Sequence, residues 1–483
     1  MEKKLPKNWV ECSIGEIVSS KRGRKPSSTI DYQKDGYIPY ILIDEMEGKP
    51  IRSYTNDPKV SIVNEKDVLI VWDGSIGKCG SGINGAIGST LVALTPMAEI
   101  PTKFVEYLLI DKNSFIKQTS TGTGLQHINK DFFEICRLNL PPLAEQNRIV
   151  AKLDALFAQL ETIKTSMAKV PLLLKDFRQQ VLTQAVTGKL TEEWRKGKKL
   201  EPINIKLNTS IDYHLHVLPE SWKHGVISNI SKVKGGKRLP KGEELTTENT
   251  GYPYIRARDL KQGTVLIENL MYLEEKTQSQ IKNYIVNEAD LYITIVGAKI
   301  GDAGIIPKEM NGANLTENAV KITDLNENIY NKYFSLWLRS SICQSNIQQT
   351  IMSAAQGKLA LTRINLLPIY LPNLKEQQEI VSRVESLFAK ADTIEKQYET
   401  LKAKIDTLPQ AILHKAFKGE LTEQLDSDGD ARELLREIEG VKEAGKTLKS
   451  KKTKSVAKKV KSYVEKDEAL GMVAEDKVEY KKG

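Results

Sequence analysis

One segment of this 483-residue chain occurs twice, and no other feature restricts the fold as strongly. Residues 140–164 read LPPLAEQNRIVAKLDALFAQLETIK, and residues 371–395 read LPNLKEQQEIVSRVESLFAKADTIE. They align without a gap. The same offset pairs VLTQAVTGKLTE (181–192) with ILHKAFKGELTE (412–423). A larger, more divergent block precedes each copy. The first block opens LPKNWVECSIGEI at Leu5 and the second LPESWKHGVISNI at Leu218, matching Trp9 to Trp222 and Ile14 to Ile227. A chain duplicated in this way is a set of repeated units before it is anything else.

Within the first copy, apolar residues recur at spacings of three and four: Ile149, Leu153, Leu156, Leu160, Ile163, Met167, Val170, Leu174, Phe177 and Val181. The second copy has Ile380, Val384, Leu387, Ala391, Ile394, Tyr398, Leu401, Ile405, Leu408 and Ile412 at the matching places. That alternation is a heptad seam, narrower than the apolar stripe of a globular helix. Pro171 and Pro409 fall inside the runs. Each removes a backbone donor, so each helix is expected either to kink or to split there. A helix from Ile149 to Val181 would rise about 48 Å at 1.5 Å per residue. Antiparallel pairing of the two helices is the economical connection, since a parallel pair needs a connector running back along the rod. The expected fold class is α+β: two α/β blocks separated by two long helices that pair as an antiparallel coiled coil with a pseudo-twofold.

Composition narrows the function classes. The 40% hydrophobic content suffices for two or three domains, and no apolar run is long enough to span a bilayer. The start, MEKKLPKNW, has no apolar signal core, and Cys12, Cys79, Cys136 and Cys343 form no CxxC. A reduced, cytoplasmic protein without a zinc site is expected. Of the net charge of +9, about six charges lie after Gly440, where thirteen Lys face seven Asp and Glu. The body is therefore only mildly basic, and charge alone argues weakly for nucleic acid.

Each block runs from its opening into a basic glycine loop, KRGRKP (21–26) or KGGKRLPK (234–241). YIPYI (37–41) and YPYIRARD (252–259) follow, then β-branched runs from Asp67 and Asp290 that read as strands. Helical patterns lie near Phe104–Lys117 and Asn331–Gln349. The blocks close through TSTGTGLQHIN (119–129) and SAAQGKLALTRIN (353–365).

Motifs for catalysis are scarce. Trp72 stands where a P-loop needs its first glycine before Gly77 and Lys78, and there is no GxGxxG after a strand and no HExxH. His214 and His216 form one close pair in the connector, a weak metal motif. Asp44-Glu-Met-Glu-Gly-Lys49 resembles a nuclease acid–acid–lysine cluster, but its counterpart Asp259-Leu-Lys-Gln-Gly lacks the second acid, so a surface turn is the expected reading. Recognition chemistry is better represented. Basic glycine loops bring backbone amides and cations close to phosphates. These supply Lys21, Arg22, Arg24 and Lys25 in the first block, and Lys234, Lys237, Arg238 and Lys241 in the second. Arg256 and Arg258 alternate on a predicted strand and would project from one face. There they would suit guanine, and Gln126 or Gln356 would suit adenine. Thr121, Lys299 and Lys358 complete the set of candidate DNA contacts.

The duplicated LPPLAEQNRIVAKLDALF and LPNLKEQQEIVSRVESLF helices resemble the specificity subunit of type I restriction–modification systems. So do the GKLT and GELT segments, the LPKNW and LPESW openings, YPYIRARDL, and the order block–helix–block–helix. The resemblance covers nearly everything to Glu423. The first block departs from the second in having Ile41-Leu-Ile-Asp44 where the second has the arginine pair.

The resemblance implies a non-catalytic DNA-recognition subunit. Its target-recognition domains would span 1–142 and 218–373, its spacer helices 143–198 and 374–426, with a connector at 199–217. Residues 427–483 would form a charged tail of disordered composition, although the acidic stretch 426–440 reads as a short helix. Each domain would read one half of a bipartite, asymmetric site in double-stranded DNA. The helices would set the gap, their rise being a little more than one DNA turn of about 34–36 Å. Two modification subunits, adenine N6 methyltransferases, would dock along the helices at Glu145, Gln146, Leu156, Phe157, Glu376, Gln377, Leu387 and Phe388. Restriction subunits would supply motor and nuclease. No cofactor is expected on this chain; S-adenosylmethionine, ATP and Mg would belong to the partners. The competing classes are a stand-alone endonuclease and a coiled-coil adaptor that binds only proteins.

Overall fold

The structure is a computed structural model and describes residues 5–207, 217–261, 263–352 and 358–444. The chain divides into two compact units. One comprises residues up to Thr165 and those from Lys402 onward; the other is Ser166–Leu401. Each unit thus joins one divergent block to parts of both repeated helical segments.

In the first unit, β1 (Val10–Ser13) pairs antiparallel with the last strand of the block, so that Val10 lies opposite Leu140. This closes the block on itself just where its helix departs. Strands β2 (Val18–Arg22), β3 (Ile38–Ile41), β4 (Tyr54–Thr55), β5 (Ser61–Val63), β6 (Val68–Val71), β7 (Cys79–Ser81), β8 (Gly85–Ile87), β9 (Leu91–Pro96) and β10 (Arg137–Leu140) complete it. They form two four-stranded sheets, ordered β2-β9-β6-β7 and β4-β3-β8-β5. The run in β6 is apolar throughout because both its faces are covered. Val68 and Ile70 enter one core, Leu69 and Val71 the other, following the period of two along a strand. Helices α1 (Thr102–Asp111) and α2 (Asn113–Gln118) follow, then α3 (Leu143–Met167). Ile149 and Leu153 of α3 share the larger core with Leu413, Ala416 and Phe417 from the second helical repeat. Residues 431–444 are helical, and Ala431, Leu434 and Ile438 are buried in that core. The segment read as a tail therefore begins with an ordered amphipathic helix.

The second unit repeats the topology. Helix α4 (Val170–Val186) leads through the connector to β11 (Lys223–Val226), β12 (Lys232–Gly235) and β13 (Pro253–Ile255). A small hairpin, β14 (Leu260–Lys261) and β15 (Thr264–Val265), precedes β16 (Met271–Tyr272), β17 (Leu291–Thr294), β18 (Ala303–Ile305), β19 (Asn314–Leu315), β20 (Ala319–Thr323) and β21 (Pro368–Leu371). The sheets are β12-β20-β17-β18 and β16-β13-β19, and β11 pairs with β21 as β1 does with β10. Helices α5 (Asn331–Arg339) and α6 (Ser341–Met352) precede α7 (Leu374–Phe417). Within this unit the helical segments run antiparallel. Arg178 of α4 donates to Asp392 and Glu395, Leu190 O accepts from Arg383, and Arg195 reaches Glu376, so one sequence ascends as the other descends.

The two prolines resolve differently. Pro171 sits in the first turn of α4, where its missing N–H is an unused donor, and the chain breaks between Met167 and Val170. Pro409 is carried inside an unbroken α7. The first repeat is therefore two helices rather than one.

Candidate nucleic-acid interface

The glycine of each basic loop is required by a close crossing. Gly23 N donates to Leu91 O and Arg24 N to Ile87 O, so the chain leaves the first sheet at β9 and joins the second at β8. A Cβ on Gly23 would stand 2.0 Å from Gly88 O. In the second unit Gly236 N donates to Ala319 O and Lys237 N to Leu315 O, and a Cβ on Gly236 would stand 2.0 Å from Thr316 O. The same crossing thus carries Lys21, Arg22, Arg24 and Lys25 on one unit and Lys234, Lys237, Arg238 and Lys241 on the other. All eight are exposed.

What surrounds the crossing differs. In the first unit the loop after β6 pairs with the Gly/Thr/Gln stretch: Gly74 N donates to Gln126 O, and Thr121 and His127 exchange backbone bonds. Asp73 accepts from Arg22 and faces His127 Nδ1 at 2.6 Å. Arg22, Asp73, His127, Thr121 and Gln126 are therefore brought together. In the second unit Val296 follows the matching strand, so this acid is absent there. The loop instead presents Lys299, and Leu359 N donates to Ile295 O, which sets Lys358 beside that strand end. Lys234 bonds Asp324 at 3.3 Å and Arg238 bonds Glu317 at 2.8 Å. Hydrogen bonds from Lys234 and Lys232 hold the Asp324 carboxyl below its usual range. Among the described residues, Arg24, Lys25, Lys237, Lys241, Arg258, Lys299 and Lys358 form no ion pair; Lys237 lies over the Tyr284 ring at 5.5 Å.

Two expectations are corrected. Arg256 and Arg258 lie after β13, in a turn, so they do not share a strand face. Arg256 grips Asp259 through Nε and Nη2, both at 2.8 Å, and also bonds Asn269 O. Its guanidinium is committed to the fold, whereas Arg258 is exposed. The first block has the same device from a different sequence position. Leu42 N bonds the acid three residues on, Glu45, as Arg256 N bonds Asp259, and Arg52 Nε holds Glu45 at 2.8 Å. The second correction concerns docking. Glu145, Gln146, Glu376 and Gln377 are each 0% exposed, so they offer no surface to a partner. Glu145 accepts from Trp9 Nε1, Thr422 and Gln424; Glu376 accepts from Thr191 and Arg195. Gln146 bonds Pro141 O, and Gln377 joins Tyr330, Asn328 and Pro372. They fasten each block to its helix. Phe157, Leu387 and Phe388 remain half-buried, as does Leu156.

Asp44 is bound by Lys49 at 2.9 Å and Arg52 at 2.8 Å, the arrangement of a surface turn. Among the described residues no group of three or more His, Cys, Asp or Glu is arranged to hold a metal, and no helix is long and apolar enough to cross a membrane. His214, His216 and Gln356 lie outside the described residues.

The type I restriction modification DNA specificity domain matches this chain twice, at residues 6–172 and 219–403. The chain belongs to that family. Among relatives of this specificity family, the EcoBI specificity subunit of Escherichia coli is 30% identical over 466 residues, covering 92% of this chain and 95% of its own. The EcoKI specificity subunit of E. coli K12 is 28% identical, covering 94% and 99%. The fold matches the HsdS subunit from Thermoanaerobacter tengcongensis with a TM-score of 0.57 at 18% identity, over 87% of this chain and 99% of that one. A chain from a type I R-M complex gives 0.61 at 18% identity, over 86% and 100%.

The side chains that sequence reasoning missed are Asp73, His127 and Arg52. His127 and Asp73 are 54 positions apart and meet only through loop pairing, so no local pattern marks them.

Proposed function

We propose that this chain is the DNA-recognition subunit of a type I restriction–modification complex, without catalysis of its own, and that it reads an asymmetric, two-part site. One observation carries the reading. Both units present a basic crossing at the same place in the same topology, yet Arg22, Asp73 and His127 surround one and Lys299 and Lys358 the other. A shared frame with unlike side chains suits two half-sites of unlike sequence. Arg24, Lys25, Lys237 and Lys241 would contact phosphates, while Thr121, Gln126 and Arg258 would read base edges. Two methyltransferase subunits would dock on the helical segments, and restriction subunits would complete the assembly. S-adenosylmethionine, ATP and Mg would be bound by those partners.

The test is the methylome of cells expressing the chain with its methyltransferase partner. One adenine-methylated motif, made of two unlike runs separated by a fixed unread gap, is expected. A continuous motif would refute the two-part reading.

A further inference from the structure

The second unit contains a cavity of about 370 Å³ between α4, α5, α6 and the β17–β18 turn. Arg339, the last residue of α5, lines it. The guanidinium lies flat against Gly263, where a Cβ would meet Nη1 at 2.5 Å and Cζ at 2.7 Å. No hydrogen bond or ion pair engages it among the described residues, and burial lowers its pKa. A half-buried arginine without a hydrogen-bond partner leaves its donors free for a ligand, although the charge of Asp302 on the same wall acts on it. The fold does not demand it: the ninth residue of the matching helix α1 is Ile110, which packs against the first unit's core. A second cation, Lys175 of α4, stands exposed at the rim. Asp302 lines the same wall without a direct ion pair; burial pushes its carboxyl up, and the charges of Lys299, Lys261 and Arg339 act against that shift.

We propose that this cavity binds a phosphate-type oxyanion, with Arg339 as the principal ligand and Lys175 as a rim cation. The remaining wall includes Leu182 and Phe388, so the space accepts an organic body attached to the anion, and the volume suits a small molecule. Because Lys175 is on α4 and Arg339 on α5, an occupied site would tie the second block to its helix. The site is independent of the DNA-reading assignment.

The experiment is calorimetric titration of the full chain with inorganic phosphate and, separately, with adenosine 5′-monophosphate, at fixed ionic strength. Saturable binding is expected, with equal affinities indicating a site for the ion and a tighter monophosphate indicating use of the apolar wall. Arg339→Leu, which supplies the apolar side chain that Ile110 provides in the first unit, should weaken binding at least about tenfold. Asp302→Asn, which removes the carboxylate charge, should hold or tighten it, which a variant that merely unfolded would not do. Absence of saturable binding, or Arg339→Leu binding as the parent does, would overturn the proposal. So would a loss on Asp302→Asn equal to that on Arg339→Leu.

Discussion

Replacing Arg256 by alanine separates a structural arginine from a reading one. The side chain donates three hydrogen bonds, two to Asp259 and one to Asn269 O, all at 2.8 Å. Asp259 is 4% exposed, so removing Arg256 strands a carboxylate where water hardly reaches. Breaking a buried pair from one side costs about 3–5 kcal/mol. The Arg256 side chain keeps 21% exposure, and the bond from residue 256 N to Asp259 survives, which places the expectation near the lower end, about 3 kcal/mol. Arg258 is exposed and unpaired, so Arg258→Ala should stay within about 0.5 kcal/mol in stability. It should instead lose about 1–3 kcal/mol of discrimination at one half-site. The assay is urea unfolding beside binding to half-site variants. Removing both partners, Arg256→Ala with Asp259→Leu, should recover much of the stability, because neither charge is then left alone. If Arg256→Ala were as stable as the parent while changing base preference, the assignment of this pair to the fold would be refuted.

Other consequences follow from the same contacts. Trp9 donates to buried Glu145 at 2.8 Å, while Trp222 Nε1 in the second unit is buried without a partner. Trp9→Phe should therefore cost about 1.5–3 kcal/mol more than Trp222→Phe. Hydrogen exchange of the β1–β10 and β11–β21 pairs would measure this, and equal losses would contradict it. Asp73→Asn should release Arg22 and His127 and relax preference at one half-site only, read by competition binding; a change at both half-sites would refute it. Lys25→Ala should weaken binding alike on all sequences and lower the salt slope by about one, and a sequence-selective loss would show that Lys25 reads bases.

The repeat made much of this architecture legible. Gapless alignment revealed two equivalent blocks, and the apolar runs after Asp67 and Asp290 fell on β6 and β17, where both faces are covered. The basic loops were visible because a glycine between cations marks a close crossing, as Gly23 and Gly236 turn out to make. Three things were hidden. Alternation over Ile255, Arg256, Ala257 and Arg258 looked like a strand, but Asp259 captures the backbone of Arg256 and ends it. Glu145 and Gln146 looked like a polar helix surface, because nothing local says that Trp9 and Thr422 will arrive to bury them. Proline position alone did not say whether a helix breaks: Pro171 begins one, and Pro409 is tolerated inside another.

Site-directed crosslinking would show whether the two units read different runs of DNA. A photoreactive residue is placed at position 126 in the first unit or 299 in the second, in the chain assembled with its partners on a long duplex. Each position should mark its own short, sequence-specific run, and the two runs should differ and keep a constant separation. Crosslinks from both positions to the same run, or to any sequence equally, would contradict the two-part reading.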